Sequence, residues 1–414
     1  MKSSNLFGLF IIFFYSLSPG LAKIFDEKNF FIIGILFLTM YFLPTLKIRK
    51  SIDFIYLYLV LIYSLGMSLI LIYFDISNFE SFTFGFFQFF YPFLLILISE
   101  TDRIKSFLKQ VPLVGLFHLI LAGLIFPITL LDNPLLVFLS EKLVESAAAY
   151  RLASVSGSLA FSALMFGCLA LSASTIYNKN SSLTRDKLLF VFFALGCVFS
   201  LQRAVWVSCL LLFFLVIFFD KASRVKSFFY LIALLLTIIF ILMSINNEVM
   251  SELILDRLIS IYSSSEGLSA IGERTGQWYN VFLNLYNFPF GSGIGQIGQS
   301  ARSALDSAPT NFKYIVDGDY FRIISEFGFF GLYFVFIILW INILFVYFIF
   351  NKKSNLDSDH KFYGLLFLGL SIQLLGTNIS EMYFVNVIYF SALTLMIEFK
   401  DNVKADEKFR EFFK

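Results

Sequence analysis

Residues 329–350 read FFGLYFVFIILWINILFVYFIF, an apolar run without a single charged side chain. A helix that crosses a bilayer needs about 20 mostly apolar residues, and this stretch meets that length. The whole chain extends the reading. Hydrophobic residues make up 58% of its 414 positions and charged residues 14%, against roughly 45–50% and about 25% in soluble domains. A soluble core cannot hide so much apolar surface, so lipid must serve as solvent. Similar runs recur near 5–22, 29–46, 53–74, 81–99, 108–131, 154–177, 187–201, 203–219, 227–245, 361–379 and 382–399, with the run ending at 350 starting near 321. These spacings predict an all-α polytopic membrane protein with about 12 transmembrane helices. Residues 1–249 hold helices one to nine, 250–319 form one large extracytoplasmic loop, 320–399 hold helices ten to twelve, and 400–414 form a cytoplasmic tail.

Basic residues orient the spans, because cytoplasmic loops collect Lys and Arg. With the N-terminus inside, 21 of the 31 Lys and Arg residues fall inside, among them Lys47, Arg49, Lys50, Arg103, Lys105 and Lys109. Both termini are then cytoplasmic, and loop 250–319 lies outside. Met1–Ala22 also has the form of a signal peptide, with Lys2, an apolar run and then PGLA; retention as the first helix is the expected state. The net charge of +2 carries no sign of nucleic-acid binding. Cys168, Cys197 and Cys209 all lie in apolar runs without metal-ligand spacing, which reads as packing. His118 lies within a span and His360 in a short charged loop, so no zinc site assembles and no cofactor is expected.

The polar island Met250–Asp319 is the exception in this apolar chain. It carries Arg257, Arg274, Trp278, a glycine turn PFGSGIG (289–295) and Asp317. In the predicted topology Arg151, in YRLASVSG (150–157), and Arg203, in the tight turn SLQRA (200–204), reach the same outer side. Arginine at a membrane boundary is costly unless it serves a pathway or ligand, and its planar fork matches phosphate oxygens. Each has a plainer alternative. Arg151 can snorkel to headgroups, and Arg274 with Trp278 can form an interfacial amphipathic helix. Arg203, between two short spans, has little room to snorkel.

The glycine turn lacks the Lys-Ser/Thr of a phosphate loop; Gly291 and Gly293 instead suit sharp turns and close approach to something outside the chain. In DGDYFRIISEFG (317–328), Asp319, Arg322 and Glu326 fall at i, i+3 and i+7 and share one helical face. A salt-bridged helix start and a substrate-binding face both fit Arg322 and Glu326. Asp317 and Asp319 suit a base or a sugar-hydroxyl acceptor.

These motifs, in this order over residues 150–335, resemble the O-antigen polymerase and O-antigen ligase family of bacterial membrane proteins. The carrying residues are RLASVSGS (151–158), SLQR (200–203), Arg274 with Trp278 ahead of PFGSG (289–293), and DGDY (317–320) followed by EFGFFG (326–331). The resemblance implies a membrane glycosyltransferase of GT-C-like architecture in the bacterial inner membrane. It would act at the outer leaflet on undecaprenyl-diphosphate-linked oligosaccharides, as donor and acceptor, with a chain-length regulator and a flippase as partners. Arg203 and Arg274 would grip the lipid diphosphate with Arg151 assisting. Asp317 or Asp319 would manage the acceptor hydroxyl, and Trp278 and Tyr320 would stack on sugars. The ligases usually carry histidine where this chain has Asp317, which points to a repeat-unit polymerase of O-antigen, capsule or exopolysaccharide over a ligase acting on lipid A core. A lipid-linked oligosaccharide flippase and a membrane scaffold are the readings from other classes. The polar groups gather at one face in one large loop, not at a midplane between paired halves, which favours an enzyme.

Overall fold

A computed structural model describes residues 3–25, 29–130, 154, 157–179, 184–200, 202–216, 276, 279–283, 285–298, 318–350 and 358–405. These residues contain helices and turns, with isolated bridges pairing Leu46 with Ser99 and Ser154 with Gly157. The helices are α1 (Ser3–Phe25), α2 (Asn29–Phe42), α3 (Ile52–Tyr73), α4 (Phe79–Gly85), α5 (Tyr91–Leu97), α6 (Thr101–Leu130), α7 (Ser158–Lys179), α8 (Thr184–Phe199), α9 (Arg203–Val216), α10 (Asp319–Phe327), α11 (Phe329–Phe350), α12 (Ser358–Gln373) and α13 (Val385–Ala405). Five stretches among the described residues are long and apolar enough to cross a membrane: Ile52–Tyr73, Phe79–Leu97, Thr101–Leu124, Ser158–Ile176 and Phe329–Phe350. Outward side chains are as greasy as inward ones, with Ile62 68% and Ile343 59% exposed, as lipid contact requires.

Among the described residues each expected span overlaps helix, and 227–245 lies outside them. Three differ in form. The stretch 79–97 contains a π turn over Phe86–Phe90, the kind of helix bulge that often marks functional sites. The expected span 361–379 stops as a helix at Gln373, and the chain then turns through the single 3₁₀ turn Ile379–Glu381 before α13. The expected span 321–350 is broken at Gly328, whose φ of +63 ends α10 and lets α11 start in a new direction.

The bundle has two polar ends. At one, Arg49 bonds Glu398 and the Leu97 carbonyl (2.6 Å), Thr101 donates to Glu398 (2.7 Å), and Lys400 pairs with Asp53 (2.6 Å). The other lies beyond the far end of α3, about 33 Å away at 1.5 Å per residue. There the Ser77 hydroxyl donates to the Ser292 carbonyl (2.9 Å). The Gln296 amide brackets the Asn78 backbone, accepting from its N–H and donating to its carbonyl, both at 3.0 Å. Asn78 in turn caps α4 by accepting from Glu80 and Ser81.

The glycine turn is pressed against the end of α10. Ser292 N–H donates to the Ser325 carbonyl (3.0 Å), Gly293 N–H to the Glu326 carbonyl (3.1 Å), and Phe329 N–H to the Pro289 carbonyl (3.0 Å). Carbonyls that a broken helix would leave bare are thereby satisfied by main chain. At Gly291 the close approach is to the chain's own backbone, whereas a Cβ at Gly293 would meet Ser68 at an ordinary 3.4 Å. Gly291, at φ +90, stands where a Cβ would lie 2.2 Å from the Glu326 carbonyl oxygen. Gly291→Ala is expected to cost about 3 kcal/mol and to lower the thermal midpoint in detergent. Gly66→Ala in α3, where a Cβ meets nothing within 4 Å, is expected to leave the midpoint unchanged or slightly higher.

Candidate functional site

Gly318, at φ +116, starts α10 and donates its N–H to the Asn378 side-chain oxygen (2.8 Å). One turn of α10 then builds a buried ionic core. Arg322 Nε donates to Asp319 Oδ1 (2.9 Å), Nη1 to Glu326 Oε2 (2.7 Å) and Nη2 to Ser380 Oγ (2.6 Å). Asp319 also accepts from the Ser380 N–H (2.6 Å) and hydroxyl (2.7 Å). Glu381 Oε2 lies 3.8 Å from Arg322 Nε, and the Phe89 ring lies 4.5 Å beneath the guanidinium. Glu326 accepts from the Ile297 N–H (3.3 Å), and Gly298 sits so close that a Cβ would be 2.1 Å from Glu381 Oε2.

Asp319 and Arg322 are 0% exposed and Glu326 2%. Three carboxyls therefore surround one guanidinium out of reach of water. In this short helix ahead of the span, burial pushes the Asp319 carboxyl up, opposed by Arg322 and the Ser380 bonds. Burial pushes Glu326 up to about 7, against the pull of Arg322 and with the repulsion of Glu381. The shared helical face of Asp319, Arg322 and Glu326 is present, and Arg322 and Glu326 take the salt-bridged alternative. Tyr320 is also buried and donates its hydroxyl to the Ser371 carbonyl (2.9 Å), so its ring offers no open face for a sugar.

Arg203 is placed differently. It is the first residue of α9 and half-buried. The turn before it is fixed by Ser200 Oγ donating to the Cys197 carbonyl (2.7 Å) and Trp206 Nε1 to the same carbonyl (3.3 Å). Five residues further, Ser208 donates to the Gly369 carbonyl (2.8 Å) and accepts from Gln373 (3.3 Å), tying α9 to the last turns of α12. Since α12 leads directly to Asn378 and Ser380, Arg203 lies at the same end of the bundle as the ionic core. A cation at a helix N-terminus opposes the macrodipole by roughly 0.3–1 kcal/mol. Helix N-termini favour anions. Arg151, Arg274, Trp278 and Asp317 lie outside the described residues, Asp317 directly preceding Gly318.

Sequence reasoning missed Asn378, Ser380 and Glu381. The polar run TNISE (377–381) between two apolar stretches was the available signal. Among the described residues no group of three or more His, Cys, Asp and Glu side chains could hold a metal ion; the centre of the three carboxyls is occupied by Arg322.

Removing the guanidinium strands buried carboxyls. Arg322→Ala is expected to destabilise the fold by about 3–5 kcal/mol, read as loss of monodisperse protein in detergent. Arg203→Ala, which removes a half-buried side chain at a helix start, is expected to melt well above Arg322→Ala.

Residues 188–336 match a protein-family model described as O-antigen ligase. The matched region contains Arg203, the glycine turn, α10 and the start of α11. No curated protein matches the chain. Over residues 188–336, which hold three of the four motif groups read from the sequence, the chain is similar to the O-antigen ligase family of membrane proteins.

Proposed function

We propose that the protein polymerises undecaprenyl-diphosphate-linked oligosaccharide repeat units at the outer leaflet of the bacterial inner membrane. The match over residues 188–336 carries this reading. The placement of Arg203, at a helix N-terminus on the same end as the ionic core, supports it. In the reaction a hydroxyl oxygen of the acceptor saccharide bonds to the anomeric carbon of the donor. The bond from that carbon to the lipid diphosphate breaks, and the hydroxyl proton passes to a carboxylate.

Negative charge develops on the departing diphosphate. Guanidinium groups already in place stabilise it without reorganisation, typically the largest catalytic contribution. Arg203 and Arg274 take that role, with Arg151 assisting. Both oxygens of Asp319 are engaged by Arg322 and Ser380, so Asp317, one residue before the fixed Gly318, is the carboxylate assigned to the acceptor hydroxyl. Trp278 is the remaining aromatic for stacking on a sugar.

The second reading is a ligase that hands the finished glycan to lipid A core, favoured by the description of the matching family model. Purified protein supplied with lipid-diphosphate-linked repeat units alone separates the two. The polymerase reading predicts a product ladder, and a ligase would give product only when lipid A core is added. Arg203→Ala is expected to lower the ladder rate about 10²-fold at unchanged protein level. An undiminished ladder in that variant would remove Arg203 from the site.

A further inference from the structure

His118 is an imidazole in an otherwise apolar part of α6, fully buried. It lies 17 residues beyond Thr101, about 25 Å along the helix from the Arg49 end. Its neighbour Leu119 touches Gly196, where a Cβ would lie 3.2 Å from Leu119 Cδ1, which sets this part of α6 level with the last turn of α8. The Gln202–Arg203 turn follows directly. His118 Nδ1 is hydrogen-bonded to Ser154 Oγ, 36 positions away. Its Nε2 is buried and has no partner among the described residues.

Ser154 belongs to a tight turn. Gly157 N–H donates to the Ser154 carbonyl (2.9 Å), Gly157 has φ +87, and the Gly157 carbonyl accepts the Phe161 N–H (3.0 Å) as α7 begins. In sequence, Arg151 precedes Ser154 by three residues. An apolar side chain at position 118 would avoid burying a bare nitrogen, which costs stability. Packing alone therefore does not account for the imidazole, whereas its bond across to the turn does.

We propose that His118 is a positioning residue. Through Nδ1 it anchors the Ser154–Gly157 turn, and so fixes Ser154, three residues after Arg151 in sequence, to the bundle. This inference rests on the lipid-diphosphate reading for its effect on substrate, but the anchor itself can be measured apart from activity. Asparagine carries a polar atom near the position of Nδ1 and glutamine near that of Nε2, so the two variants separate the nitrogens.

In the full-length protein reconstituted in nanodiscs, His118→Ala, His118→Gln and Ser154→Ala are expected to speed amide hydrogen exchange at 154–161 about tenfold. His118→Asn is expected to remain near wild type. With lipid-diphosphate-linked repeat units, the same three variants are expected to raise the donor KM about tenfold, with kcat within about twofold. Adding Ser154→Ala to His118→Ala is expected to bring no further change. Unchanged exchange in His118→Ala, or rescue by Gln instead of Asn, overturns the anchor. A uniform drop in melting temperature with unaltered KM overturns the positioning role. A wild-type protein that shows no turnover of lipid diphosphate defeats the polymerase reading alone, and the exchange data still judge the anchor.

Discussion

The Arg322 guanidinium ties together three separate parts of the chain. It bonds Asp319 and Glu326 on its own helix, Ser380 and Glu381 on the turn before α13, and lies on the Phe89 ring of the π turn. A charge this deep persists only when it is paired and hydrogen-bonded. Satisfying it brings α10, the 3₁₀ turn Ile379–Glu381 and the segment 296–298 into one block. The break at Gly328 follows from the same demand, since an unbroken helix through 319–350 would direct Arg322 away from that turn.

Arg203 and Arg322 show how placement divides the work between identical side chains. Arg322 is enclosed and fully engaged by its own protein. Arg203 is half-buried at the positive end of α9, in a hairpin whose backbone is held by Ser200 and Trp206. One stabilises the architecture. The other starts a helix, at the end whose dipole favours an anion.

Long apolar runs made the spans legible, because lipid imposes one length and one polarity on all of them. The helical face of Asp319, Arg322 and Glu326 was equally readable from spacing. Its partners were not. Ser380 and Glu381 arrive from some 60 residues away, and no local pattern announces that a carboxylate will meet Arg322. The glycine turn was recognised as a place of close approach, but spacing cannot say whether a ligand or the chain itself does the approaching. Tyr320 shows the same limit: the residue type suited a sugar face, and the fold turned it inward toward Ser371.

The junction between the Pro289–Gly293 segment and α10 is made almost wholly by peptide groups. Such a seam is indifferent to side-chain identity, provided glycine stands where the backbone must cross. A single methyl group at the crossing point would part the two stretches of main chain, so this joint tolerates variety everywhere except at its glycine.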